Sequence, residues 1–128
     1  RFWGRPVGQV PGMDVTAFPA DEALKKLALA AAEAENPGHN RTGRIASGDQ
    51  FVCDGEVKKK IVADTGALCI EMEGAAIAHA CWLNRIPFVI IRAISDSADE
   101  EANMSYEQFV LLAAKRSAEL VEKMLGKM

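Results

Sequence analysis

Basic runs, long apolar runs and paired cysteines are all scarce in this sequence, and each scarcity closes off a class of function. The densest cationic cluster is Lys58-Lys59-Lys60, which reads as the solvated face of a helix, and the formal net charge is −3. A polyanion is held mainly by clustered Lys and Arg, so nucleic acid is not an expected partner. No apolar stretch approaches the roughly 20 residues that cross a bilayer, and Arg92 breaks the longest strand-like one, "PFVIIRAIS". A soluble protein without membrane contact is expected, and no charged segment with an apolar core opens the chain as a secretory signal would. The three cysteines, Cys53, Cys69 and Cys81, are odd in number and lack metal-type spacing. That usage fits reduced thiols in a cytoplasm, each serving as a small apolar packing residue. His39 and His79 have no Cys, Asp or Glu at ligand spacing, so no metal site and no metal cofactor is expected.

What is present suffices for one compact domain. The 128 residues are 49% hydrophobic, enough for a real core, with no repeats and no low-complexity tract. The first twenty positions hold Gly4, Pro6, Gly8, Pro11, Gly12 and Pro19, too many breakers for a regular element, and read as a loop. Asp21 caps a helix running to about Glu35, with Leu24, Leu27, Ala28 and Ala31 at helical spacing before "NPGHN" stops it. "TGRIASGDQFV" gives a short strand and a Gly-Asp turn. Asp54 then caps a second helix to about Asp64, with Val57 and Ile61 on one side and Thr65-Gly66 at its end.

"ALCIEME" is strand-like, "GAAIAHACWLNR" is a helix with a small-residue face, and "PFVIIRAIS" has the unbroken apolar character of a strand covered on both sides. Ser105 with Gln108 three residues on is a capping-box signature for a last helix to about Leu125. Its apolar face is Phe109, Leu112, Ala113, Leu120 and Met124. Alternating strands and helices predict an α/β fold, a mainly parallel or mixed sheet flanked by helices. In such sheets ligands gather beyond the carboxyl ends of the strands, where "SGDQFV", "EMEG" and "RAISDSAD" would meet at one edge.

Each strand end offers two readings. Asp96 follows six strand-like residues and serves either as a turn or cap residue or as a general acid. In the second role, desolvation and like charge keep it protonated near neutral pH, and Ser95 orients it. Glu71 and Glu73 lie two apart and share a face in an extended chain, with Met72 opposed. Glu73 is either an exposed carboxylate favoured by the macrodipole of the next helix or an acceptor for paired hydroxyls such as a ribose offers. Met72 then supplies a pliable apolar contact beneath the sugar. Glu71 belongs to the same candidate site, though pairing with Arg92 accounts for it better than ligand contact. Phe51 is most simply a core aromatic; alternatively it stacks on a flat heterocycle whose edge the Val52 backbone reads. Trp3 and Trp82 are compatible with a contact surface between subunits.

Taken together, "ASGDQFV", "CIEMEGAAIAHAC" and "RAISDSAD", in that order, resemble the C-terminal half of the methylthioadenosine/S-adenosylhomocysteine nucleosidases, within the wider nucleoside phosphorylase superfamily. The resemblance spans nearly the whole chain. It implies a three-layer sandwich of the nucleoside phosphorylase kind, incomplete at its N-terminal side, and a homodimer working in the cytoplasm on an adenine nucleoside without a cofactor. By resemblance, Asp96 is the acid that protonates adenine N7, Ser95 helps hold it, Glu73 accepts from the ribose hydroxyls and Met72 touches the sugar. Phe51 and Val52 match adenine-binding positions, and Pro11 matches a loop closing the 5′-alkylthio pocket of the neighbouring subunit. Neither the Gly-rich substrate loop nor the water-activating glutamate of such enzymes has a counterpart here. Residues 1–128 are therefore expected to be the C-terminal portion of a single nucleosidase domain, hydrolysing substrate hardly at all in isolation. A phosphate-dependent purine nucleoside phosphorylase and a non-catalytic nucleoside- or partner-binding module remain as alternatives.

Overall fold

In the computed structural model, which describes residues 4–94 and 106–128, local sequence signals account for where most elements start and stop. The order is α1 (Glu22–Glu35), β1 (Ile45–Ser47), α2 (Gly55–Thr65), β2 (Cys69–Glu71), α3 (Gly74–Asn84) and α4 (Tyr106–Leu125). They belong to two compact units. The first takes the chain up to Asp21 together with Thr42–Ile90; the second takes Glu22–Arg41 and the chain from Ile91 onward.

In the first unit, the breaker-rich opening folds as turns. Met13 N–H donates to the Val10 carbonyl at 3.0 Å across Pro11-Gly12, and Gly12 takes φ +83°, the value a type II turn requires there. Phe18 stacks on His79 of α3 with ring centroids 5.0 Å apart and lies 6.1 Å from the Trp82 ring, fastening this loop to the helix. The side chain of Asp54 accepts from the backbone N–H of Glu56 and Val57, while Gly66 closes α2 in the left-handed region at φ +69°. α2 itself buries no residue. β1 and β2 pair in parallel, with Ile45, Ala46 and Ser47 opposite Cys69, Ile70 and Glu71. α3 packs against β1 and buries Gly74 and Ala78, the small-residue face expected of it.

The second unit is a helix pair. Ala28 and Ala31 of α1 and Leu120 and Met124 of α4 are buried, and Phe109, Leu112 and Ala113 continue the same stripe half-buried. A salt bridge joins Lys123 to Glu35. In the last turn of α1, the Glu33 carboxylate accepts from the Gly38 N–H and from Asn40 Nδ2 of the segment that follows, both at 2.9 Å. Those bonds, first that from Gly38 and then that from Asn40, with the charges of Arg41 and His39, hold its pKa below the ordinary 4.5.

Three expectations need correction. The run at positions 87–94 is not a strand: the sheet among the described residues has two strands. A strand exists only through its ladder, and this run's carbonyl at Phe88 accepts instead from Asp21 N–H at 2.8 Å. Nor is it covered on both sides, since Ile91 and Ile94 are exposed. Phe51, read most simply as core, is 72% exposed, and Cys53, read as packing, is exposed as well. The core is also thin. Among the described residues, the buried apolar ones are Ala67 and Ala78 in the first unit and Ala28, Ala31, Leu120 and Met124 in the second; within the first unit, a sheet of two three-residue strands has too little area to cover the apolar sides of α2 and α3.

Candidate functional site

The parallel register places Ser47 opposite Glu71 at the carboxyl ends of both strands. From there the chain leaves as "GDQFV" on one side and "MEG" on the other, so two of the three motif-bearing segments issue from one edge of the sheet. Gly48 N–H donates to the Glu71 carbonyl at 3.1 Å and extends the ladder by one bond.

Glu71 organises the junction. Its carboxylate accepts from the backbone N–H of Glu73 at 3.1 Å and of Gly74 at 2.8 and 3.0 Å, and from the Ser47 hydroxyl. The Ser47 oxygen in turn accepts from Ala75 N–H at 2.8 Å. N–H groups of the opening of α3, which a helix cannot satisfy internally, are thus taken up by an acid three residues before its first residue and a serine on the adjacent strand. Gly74 is buried against that carboxylate.

The strand ends at Glu71, and the chain bends through Met72 and Glu73, so the alternation of an extended chain does not carry over from Glu71 to Glu73. Glu73 occupies the N-cap position of α3 at φ −124° and ψ −30°, exposed and making no side-chain cap bond. Met72 is 42% exposed. Phe51 projects its ring into solvent between β1 and α2, and Val52 beside it is half-buried. Pro11 is exposed in its turn. Asp96 and Ser95 lie outside the described residues, as do Trp3 and Ser105.

Sequence reasoning gave no role to Ser47 or Gly74. The signal for Ser47 is a register, and a register is visible only once the two strands are paired. Among the described residues, no three His, Cys, Asp or Glu side chains are grouped to hold a metal, and no helix is long and apolar enough to cross a membrane. A groove of about 500 Å³ in the first unit, lined by residues including Pro19, Trp82, Arg85, Ile86 and Phe88, lies at the far end of α3 from Glu73 and offers mainly apolar surface.

Residues 3–126 of the chain match the phosphorylase superfamily, and the chain belongs to it. Within it, the chain is 44% identical to the 5′-methylthioadenosine/S-adenosylhomocysteine nucleosidase of Actinobacillus succinogenes, across 98% of this chain and 54% of that protein. It is 42% identical to the aminodeoxyfutalosine nucleosidase of Campylobacter jejuni, across 98% and 54%. The crystal structure of a Campylobacter jejuni 5′-methylthioadenosine/S-adenosylhomocysteine nucleosidase is similar at a TM-score of 0.87 and 42% identity, again across 98% of this chain and 54% of that one. The chain thus spans about half the length of the relatives it matches.

Proposed function

We propose that the protein carrying this chain hydrolyses the N-glycosidic bond of 5′-methylthioadenosine and S-adenosylhomocysteine and releases adenine. The observation that carries the reading is the junction at Glu71, which fixes Met72 and Glu73 at the strand edge from which the Phe51 segment also leaves. The likeness to named nucleosidases supports it.

Cleavage of a ribosyl–base bond passes through a cationic, oxocarbenium-like sugar while negative charge builds on the departing base. Glu73 meets the first change by accepting hydrogen bonds from the ribose hydroxyls, with Met72 against the sugar. Asp96 meets the second by giving its proton to adenine N7, steadied by Ser95, and such assistance contributes about 10²–10⁴-fold. The exposed Phe51 ring stacks on adenine and the Val52 backbone reads its edge. Water attacks the ribosyl carbon, activated by a carboxylate from the part of the relatives' length that this chain does not span. Residues 1–128 act as the C-terminal portion of a nucleosidase domain. The enzyme works as a cytoplasmic homodimer in methionine salvage, with the Pro11 loop closing the neighbour's 5′-alkylthio pocket.

The superfamily match favours one second reading, a phosphorylase in which phosphate replaces water. Adenine release by the protein expressed from its natural gene, followed with and without phosphate, separates the two. Release in phosphate-free buffer is expected. A strict phosphate requirement selects the phosphorylase, and no release under either condition leaves a binding module.

A further inference from the structure

We propose that Ser47 is a positioning residue for ribose recognition, acting through Glu71 to hold Glu73 in place. The inference rests on the nucleosidase reading and extends it to a residue on a different strand from the one that meets the sugar.

Glu73 sits in a bend, between the last strand residue and the first residue of α3, at the N-cap position of that helix. Its backbone is held by the Glu71 carboxylate, through its own N–H at 3.1 Å and that of Gly74 at 2.8 Å. That carboxylate must itself be aimed, and the register supplies the means. Ser47 stands opposite Glu71, donates its hydroxyl proton to Oε1, and accepts Ala75 N–H at 2.8 Å. One hydroxyl therefore ties β1, β2 and the first turn of α3 together. A serine fits because both its donor and its acceptor are used; an alanine would leave the Ala75 N–H and one carboxylate lone pair without their partner. The tie reaches the substrate only by fixing the bend, so its loss should show in reading of the sugar hydroxyls.

The test uses Ser47→Ala in the protein expressed from its natural gene, with kcat/KM measured for methylthioadenosine and for its 2′,3′-dideoxy analogue. The expected result is a loss of about 10-fold on the ribosyl substrate, the scale of one hydrogen bond to a charged group. The analogue should be nearly unaffected, amide exchange at positions 73–75 should be faster, and Ser47→Thr should restore most of the activity. Equal losses on both substrates would assign Ser47 a merely structural role and overturn the proposal; unchanged exchange at 73–75 would do the same. Should Ser47→Ala fail to fold, Ser47→Cys, close in volume and a weaker donor, carries the same comparison. If the parent protein releases no adenine, the nucleosidase reading falls and takes this inference with it. Turnover by the parent with parallel losses in the variant removes the inference alone.

Discussion

A β-carbon added to Gly74 would stand 3.0 Å from Oε1 of Glu71, closer than nine in ten real contacts of that kind. The glycine is present for space, since its φ is not in the left-handed region. Gly74→Ala should force the carboxylate away from the N–H groups it accepts, outweighing the gain in helix propensity. A loss of about 1–3 kcal/mol is expected in urea denaturation of the natural-gene protein, the range for overpacking a tight site. An unchanged midpoint would show that the carboxylate can yield freely.

Chemistry at the proposed acid separates from binding. Asp96→Asn should lower kcat by about 10²–10⁴-fold with little change in KM, because the amide cannot deliver a proton to the base. Turnover within about threefold of the parent would reject Asp96 as the acid. Glu73→Gln should weaken transition-state binding by removing the negative charge beside the sugar cation.

The helix pair of the second unit depends on few buried side chains. Met124 is 7% exposed and Leu120 9%, both on the face of α4 that meets α1. Met124→Ala should cost about 2–5 kcal/mol of stability, the range for truncating a buried methionine. Leu125→Ala is the control: Leu125 is 64% exposed and should change stability little. Equal effects of the two substitutions in thermal unfolding would contradict the packing described for α4.

Glu33 makes a pH-dependent contribution. Its folded pKa is depressed, so the charged form is bound more tightly by the native turn than by the unfolded chain. The stabilisation is present above the ordinary value of 4.5 and is lost as pH falls through the lower folded pKa. Glu33→Gln should therefore unfold at a lower temperature than the parent at pH 7 and converge on it at strongly acidic pH. A gap that widens on acidification would reverse the sign and reject the assignment.

The elements that were legible carry their instructions in adjacent residues. Asp54 and Gly66 bracket α2 by capping chemistry, and the stripe from Phe109 to Met124 specifies the buried side of α4 by its spacing alone. "PFVIIRAIS" misled because apolar content describes what a segment could bury, whereas a strand also needs a neighbouring strand, and among the described residues the sheet consists of β1 and β2 alone. Phe51 misled for a related reason: hydrophobicity sets the gain on burial but does not supply a cover, and the ring lies 72% exposed. At the candidate site, Glu71 and Glu73 were legible as residues. Their division of labour was not, since it follows from where the strand stops and from a serine brought alongside by pairing.

The tie between Ser47 and Glu71 also has a place in time. The two residues are 24 positions apart, with α2 between them, and a parallel pair has no short hairpin through which to zip. A helix of 11 residues such as α2 relaxes within about a microsecond, whereas the strands must first close a long excursion of chain before any contact rewards them. Refolding should accordingly complete α2 early and lock the β2-to-α3 corner late, leaving the acids at that corner unaligned until the last steps of assembly.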